Sequence, residues 1–126
     1  MYTIGFYVKE SGKCPLEDFL SSKPDKLRAK FVKQMTVLEE AGPRLGRPYA
    51  APLGDGIFEL RLVFDGSQYR AFFFFQDLTE YGILERIIIT HSIAKKTQRV
   101  PRPEIDRAIR YRADHLRRAM IGHRRN

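Results

Sequence analysis

Two apolar runs, Ile57 to Phe64 and Tyr69 to Gln76, flank the dipeptide Asp65-Gly66. A short Asp-Gly link between strand-like runs is the strongest local signal for a β-hairpin, because both residues tolerate the positive φ that a tight, twist-matched turn demands. Such a turn sets the register, so that 64 opposes 67, 63 opposes 68, 62 opposes 69 and 61 opposes 70. With a side-chain period of two, Phe58, Leu60, Leu62 and Phe64 share a face with Tyr69, Ala71, Phe73 and Phe75, and that is the expected core face. Glu59, Arg61, Arg70 and Phe72 fall on the other. A third apolar run, Ile83 to His91, follows the polar stretch 77–82. Consecutive strands with short connectors make an antiparallel meander.

Upstream, Tyr2, Ile4, Phe6 and Val8 alternate, which predicts an opening strand over residues 2–8. Ser22, three residues before Asp25 and close to Pro24, resembles a capping box. Leu27, Phe31, Met35 and Leu38 then recur at helical spacing up to Gly42-Pro43, so a helix is expected over 23–41, with Pro15 to Leu20 as a preceding helical turn. Residues 42–56 hold three Pro and four Gly without periodicity and read as an irregular connection. Gly54-Asp55-Gly56 within it is turn punctuation; a phosphate loop would need a following lysine and helix. Pro101 and Pro103 introduce a final helix over 103–119, in which Ile105, Ala108, Ile109, Leu116 and Met120 form the docking face and Arg107, Arg110, Arg117 and Arg118 lie largely away from it. Residues 121–126 are expected as a basic tail.

The expected fold is therefore α+β, a single domain over residues 1–120. It has a four-stranded, mostly antiparallel sheet, with an N-terminal helix or helical hairpin and a C-terminal helix packed on it. A chain of 126 residues with 43% hydrophobic side chains can bury one core without disulfides or metal. Cys14, the lone cysteine, has no partner for an internal disulfide. No apolar run is long enough to span a bilayer, and Met1 to Val8 lacks the pattern of a signal peptide, so a cytoplasmic protein with no membrane partner is expected.

Charge narrows the function. The 23 Lys and Arg outnumber 15 Asp and Glu, for a net charge of +8, and residues 81–126 alone hold 12 basic against 4 acidic side chains. That concentration of arginine predicts a polyanionic partner. The hairpin register sets Arg61 opposite Arg70. Like charges paired across strands cost roughly 0.2–1 kcal/mol, so the pair reads as an arrangement for an anion. Glu59 shares their face, and Phe72 beside them suits a stacked base next to a phosphate. Lys95, Lys96, Gln98 and Arg99 form a second basic group after the last strand, at whose end His91 offers a titratable imidazole. The three histidines show no metal-ligand spacing, and no Ser-His-Asp or Cys-His arrangement is evident.

Gly-Ile-Phe-Glu-Leu-Arg (56–61), Tyr69-Arg70 before an apolar strand, and Thr-His-Ser-Ile-Ala-Lys-Lys-Thr-Gln-Arg-Val-Pro (90–101), in the order strand, helices and meander, resemble the phage-derived, HigB-like branch of the RelE/ParE toxin superfamily. The resemblance implies a toxin of a type II toxin-antitoxin system that acts as a ribosome-dependent mRNA endonuclease without metal or other cofactor. Its partners would be mRNA on the ribosome and a cognate antitoxin, a helix-turn-helix protein with which it forms an oligomer. Arg61 and Arg70 then stabilise charge on the phosphate, Lys95 and Lys96 position it and donate a proton, and Glu59 or His91 transfers the other proton. Glu59 stands where some relatives have a lysine. Gln98, Arg99, Arg107 and Arg110 are the expected RNA-binding residues. Two rival readings are a same-fold toxin that inhibits a protein such as DNA gyrase, and a non-enzymatic RNA- or ribosome-binding module.

Overall fold

The computed structural model describes residues 2–77, 86–96 and 98–125, with side chains up to residue 120. The expected start of the last strand at Ile83, and Thr97, lie outside them. Among the described residues the chain runs through β1 (Thr3–Phe6), α1 (Pro15–Ser21), α2 (Asp25–Ala41), a 3-10 turn (Gly42–Arg44), β2 (Ala50–Gly54), β3 (Ile57–Phe64), β4 (Ser67–Gln76), β5 (Arg86–Lys95) and α3 (Arg102–Arg125). The sheet order is β1-β5-β4-β3-β2. β1 runs parallel to β5, and the other neighbours are antiparallel.

The class is α+β as expected, but the sheet has five strands where four were predicted. The additional strand is β2, from the segment read as irregular. Pro52 lowers its strand propensity, yet β2 lies at the sheet edge, where a missing N–H costs nothing on the open side. Its turn is a second Asp-Gly link: Asp55 and Gly56 have φ of 56° and 78°, as Asp65 and Gly66 have 50° and 77°. Both are twist-matched two-residue turns. A register shift between Pro52 and Gly54 marks a bulge that masks the alternation.

The β3–β4 register is the predicted one, with Arg61 opposite Arg70 and Glu59 opposite Phe72. Leu60, Leu62, Ala71 and Phe73 are buried with Leu27, Phe31 and Leu38 of α2 and Leu16 of α1. The capping box does not form: Pro24 occupies the α2 N-cap without a side-chain bond, and Ser22 Oγ donates to the Phe19 carbonyl instead.

The opposite face receives α3, which buries Ala108 against Ile57, Phe72, Phe74, Ile88 and Tyr7. Polar ties fasten it. Arg112 Nη1 donates to the Asp55 carbonyl at 2.5 Å, Tyr7 Oη to Asp114 Oδ2 at 2.7 Å, and His115 Nε2 lies 2.9 Å from Gln76 Oε1. Ile105 and Ala108 dock as predicted, but Leu116 and Met120 remain 38% and 57% exposed. The apolar stripe outruns the cover that the sheet provides. The helical backbone also continues to Arg125, past the expected end at 119, with no proline after Pro103 to stop it.

Candidate active site

On the α3 side, cross-strand pairing arranges the sheet in rows. One row is Ala51–Glu59–Phe72–His91, the next is Arg61–Arg70–Ile93, and the third is Val63–Gln68–Lys95. α3 covers the first row and leaves the other two at the edge of its footprint. Glu59 and Phe72 are 2% and 0% exposed, whereas Arg61 retains 28% of its side-chain surface.

Glu59 lies between the arginines. Its Oε1 accepts from Arg61 Nε at 2.7 Å and stands 3.5 Å from Arg70 Nε. The cross-strand arginine pair thus already has an internal anion, and the unfavourable opposition inferred from sequence is relieved by a carboxylate on the neighbouring row. Arg70 is held further, with Nη1 donating to the Tyr69 carbonyl at 2.9 Å and Nη2 to Gln68 Oε1 at 2.8 Å. Burial works against its charge, Glu59 supports it and Arg61 opposes it. Arg70 is therefore a fixed, desolvated cation behind the surface, and Arg61 is the guanidinium that meets solvent.

Lys95 joins this group through Gln68, its cross-strand neighbour. Burial and then the Arg70 guanidinium pull its pKa below the ordinary lysine value, with Arg61 adding to the effect and Glu59 opposing it. A lysine that sheds its proton more readily is suited to proton transfer. Gln68, Lys95, Lys96 and Gln98 also line a groove of about 560 Å³ at the end of the β4–β5 pair. The predicted basic groups from the hairpin and from the end of β5 are therefore together. Lys96, Gln98 and Arg99 are exposed.

His91 lies elsewhere. A bulge between Phe72 and Phe73 turns it under α3, 2% exposed, stacked on Phe72 at 4.7 Å and edge-on to Tyr111 at 5.6 Å. Its Nδ1 is 3.0 Å from Thr90 Oγ1, and its Nε2 is 3.6 Å from Glu104 Oε1 without a hydrogen bond. Desolvation, with help from Arg107 and Arg110, pushes its pKa down to about 3. It is neutral and covered, which suits a packing role better than proton transfer to a substrate. Phe72, the aromatic platform expected from sequence, is likewise buried. Arg107 pairs with Glu104 at 3.3 Å, and Arg110 is exposed on the outer side of α3.

A lowered folded-state pKa means that protonation of His91 favours the unfolded chain. Its contribution to stability is complete above about 6.5, the ordinary histidine value, and declines toward pH 3. The expected slope approaches about 1.4 kcal/mol per pH unit in that window. Urea titrations of the native chain and of His91→Asn between pH 7 and 4 should show this slope shrinking in the variant; parallel curves would place a charged imidazole in the fold.

Among the described residues no group of three or more His, Cys, Asp and Glu side chains is placed to hold a metal ion, and no helix is long and apolar enough to cross a membrane. The described residues form a small α+β domain in which Arg61 and Arg70 lie one row from Lys95, and Lys95 lines the groove with Gln68. Residues 18–113 match the family described as Phage derived protein Gp49-like (DUF891), and the chain belongs to that RelE-toxin-like family. The matched segment contains Glu59, Arg61, Arg70, His91, Lys95 and Lys96. No curated protein matches the sequence.

Proposed function

We propose that this protein is the toxin of a type II toxin-antitoxin pair, in the HigB-like branch of the RelE/ParE superfamily, and that it cleaves mRNA on the ribosome without a metal. The observation that carries the reading is the juxtaposition of Arg61, buried Arg70 and pKa-lowered Lys95 across three adjacent strands beside a groove. RNA cleavage by its own 2′-hydroxyl needs an acceptor for that proton, cations for the charge that gathers on phosphorus and a donor for the leaving 5′-oxygen.

Each requirement has a candidate. Arg61 meets the non-bridging phosphate oxygens. Arg70 supports it electrostatically from behind and keeps Lys95 ready to act as the base. The 2′-oxygen attacks the adjacent phosphorus, its proton passes to the deprotonated fraction of Lys95, which burial and Arg70 enlarge, the bond from phosphorus to the 5′-oxygen breaks, and Lys96 protonates that oxygen. The products are a 2′,3′-cyclic phosphate and a 5′-hydroxyl. Glu59 fixes the two guanidiniums and is too enclosed to reach the substrate. Arg99, Arg107 and Arg110 supply sequence-independent attraction to RNA, and Gln98 adds a hydrogen-bonding side chain at the groove. The ribosome, by ordering the message, would provide the alignment that so small a site lacks. A cognate helix-turn-helix antitoxin, bound as an oligomer in the cytoplasm, holds the activity in check.

Induced expression without the partner should stop growth, and 5′ ends should accumulate on a translated transcript and not on a copy whose start codon is removed. Equal cutting of both copies would remove the ribosome from the account. Intact messages with altered DNA supercoiling would support inhibition of gyrase.

A further inference from the structure

The geometry points to Gln68 as an oriented hydrogen-bond donor to RNA in the groove, its direction set by buried Arg70. The inference rests on the reading of this site as an RNA site and adds a neutral side chain that aligns the nucleotide. A glutamine amide has an accepting end and a donating end, and the end that faces a ligand decides what it can bind. Here the neighbouring guanidinium makes the choice. Arg70 Nη2 lies 2.8 Å from Gln68 Oε1, and a guanidinium can only donate, so that end of the amide accepts. The NH2 end is left for another partner, and among the described residues Nε2 makes no hydrogen bond.

The orienting group is itself fixed. Arg70 also donates from Nη1 to the Tyr69 carbonyl at 2.9 Å, its Nε stands 3.5 Å from Glu59 Oε1, and its side chain is 6% exposed. Gln68, by contrast, is exposed and lines the groove with Lys95, its cross-strand partner, and with Lys96 and Gln98. Among the described residues that line the groove none carries a carboxylate. Such a lining suits a ligand rich in acceptors, and RNA offers them as phosphate oxygens and as base carbonyls and ring nitrogens. Lysine ammoniums attract an anion with little directional demand, whereas an amide held at its other end prescribes where the acceptor must lie. Gln68 stands beside the lysine assigned to the 2′-hydroxyl proton, where alignment has the most effect on rate.

The test uses the full chain and a short 2′-O-methyl RNA oligonucleotide, which cannot be cleaved because its 2′-oxygen is blocked. Affinity is read by fluorescence anisotropy across a salt series. Gln68→Met removes the amide without changing charge and should weaken binding about 3- to 10-fold, the value of one neutral hydrogen bond, with the salt slope unchanged. Gln68→Glu keeps an acceptor for Arg70 and should hold the urea midpoint, yet it loses the donor and repels the strand, so it should bind more weakly still. Extrapolated to about 1 M salt, where repulsion is screened, the two losses should converge. An abasic strand separates the sources of the acceptor: a loss that persists on it assigns a backbone oxygen, and a loss that vanishes assigns a base edge. Native affinity in Gln68→Met would overturn the proposal. Native affinity in Gln68→Glu alone would reduce Gln68 to a support for Arg70, and a Gln68→Glu loss that disappears at high salt would reduce it to charge repulsion. Unchanged RNA affinity with lost binding of a protein partner would also count against it. The two readings fail separately. Weakened binding without any cut RNA leaves Gln68 in place and removes the nuclease, whereas cut RNA with native affinity in Gln68→Met does the reverse.

Discussion

Glu59→Ala should destabilise the fold by about 3–5 kcal/mol, the usual consequence of removing one partner from a buried ion pair. The carboxylate is 3% exposed and serves two guanidiniums, of which Arg70 is 6% exposed. Loss of Glu59 leaves those charges facing one another across paired strands. Total stabilities of small domains are about 5–15 kcal/mol, so the variant should be marginal. Urea unfolding should show a lower midpoint with little change in slope. Glu59→Gln, which keeps an acceptor for Arg61, should lose less. Arg70→Ala should also destabilise, although like-charge opposition alone predicted a neutral or stabilising effect. A midpoint for Glu59→Ala near that of the native chain would mean that the carboxylate does not hold the pair.

Arg61→Ala should lower the rate of RNA cleavage by about 10²- to 10³-fold, the typical effect of deleting one donor that meets developing charge. Stability should change far less, because Arg61 is the solvent-facing partner and Glu59 keeps Arg70. Binding of ribosomes or bulk RNA should persist through the arginines of α3. This division distinguishes an enzyme from a binding module, in which affinity and toxicity would fall together. Single-turnover cleavage of ribosome-bound message provides the rate, and urea unfolding of the same preparation provides the control.

The features legible in the sequence are those governed by local chemistry. Asp65-Gly66 sets the register, and with it the Arg61–Arg70 pair, because turn type and strand period leave one solution. The α2 core stripe follows from helical spacing in the same way. β2 was hidden by Pro52 and by a bulge, although Asp55-Gly56 carries the same turn signal as Asp65-Gly66. What no local pattern reports is which sheet face a helix covers. That choice decides the roles of His91 and Phe72, both buried under α3. Nor does the pattern show that Glu59 bridges both arginines; that needed three side chains placed in space. The antitoxin and the ribosome enter from the family resemblance and rest on it.

The chemistry of the cut ends distinguishes 2′-hydroxyl attack from hydrolysis by water. Purified protein is added to ribosomes stalled on a defined message in the presence of excess chelator, and the products are probed for end groups. The native chain should form fragments with a 5′-hydroxyl and a 2′,3′-cyclic phosphate, and Arg61→Ala should not. Uncut message, or fragments that carry a 5′-phosphate, would contradict a 2′-hydroxyl attack supported by Arg61, Arg70 and Lys95.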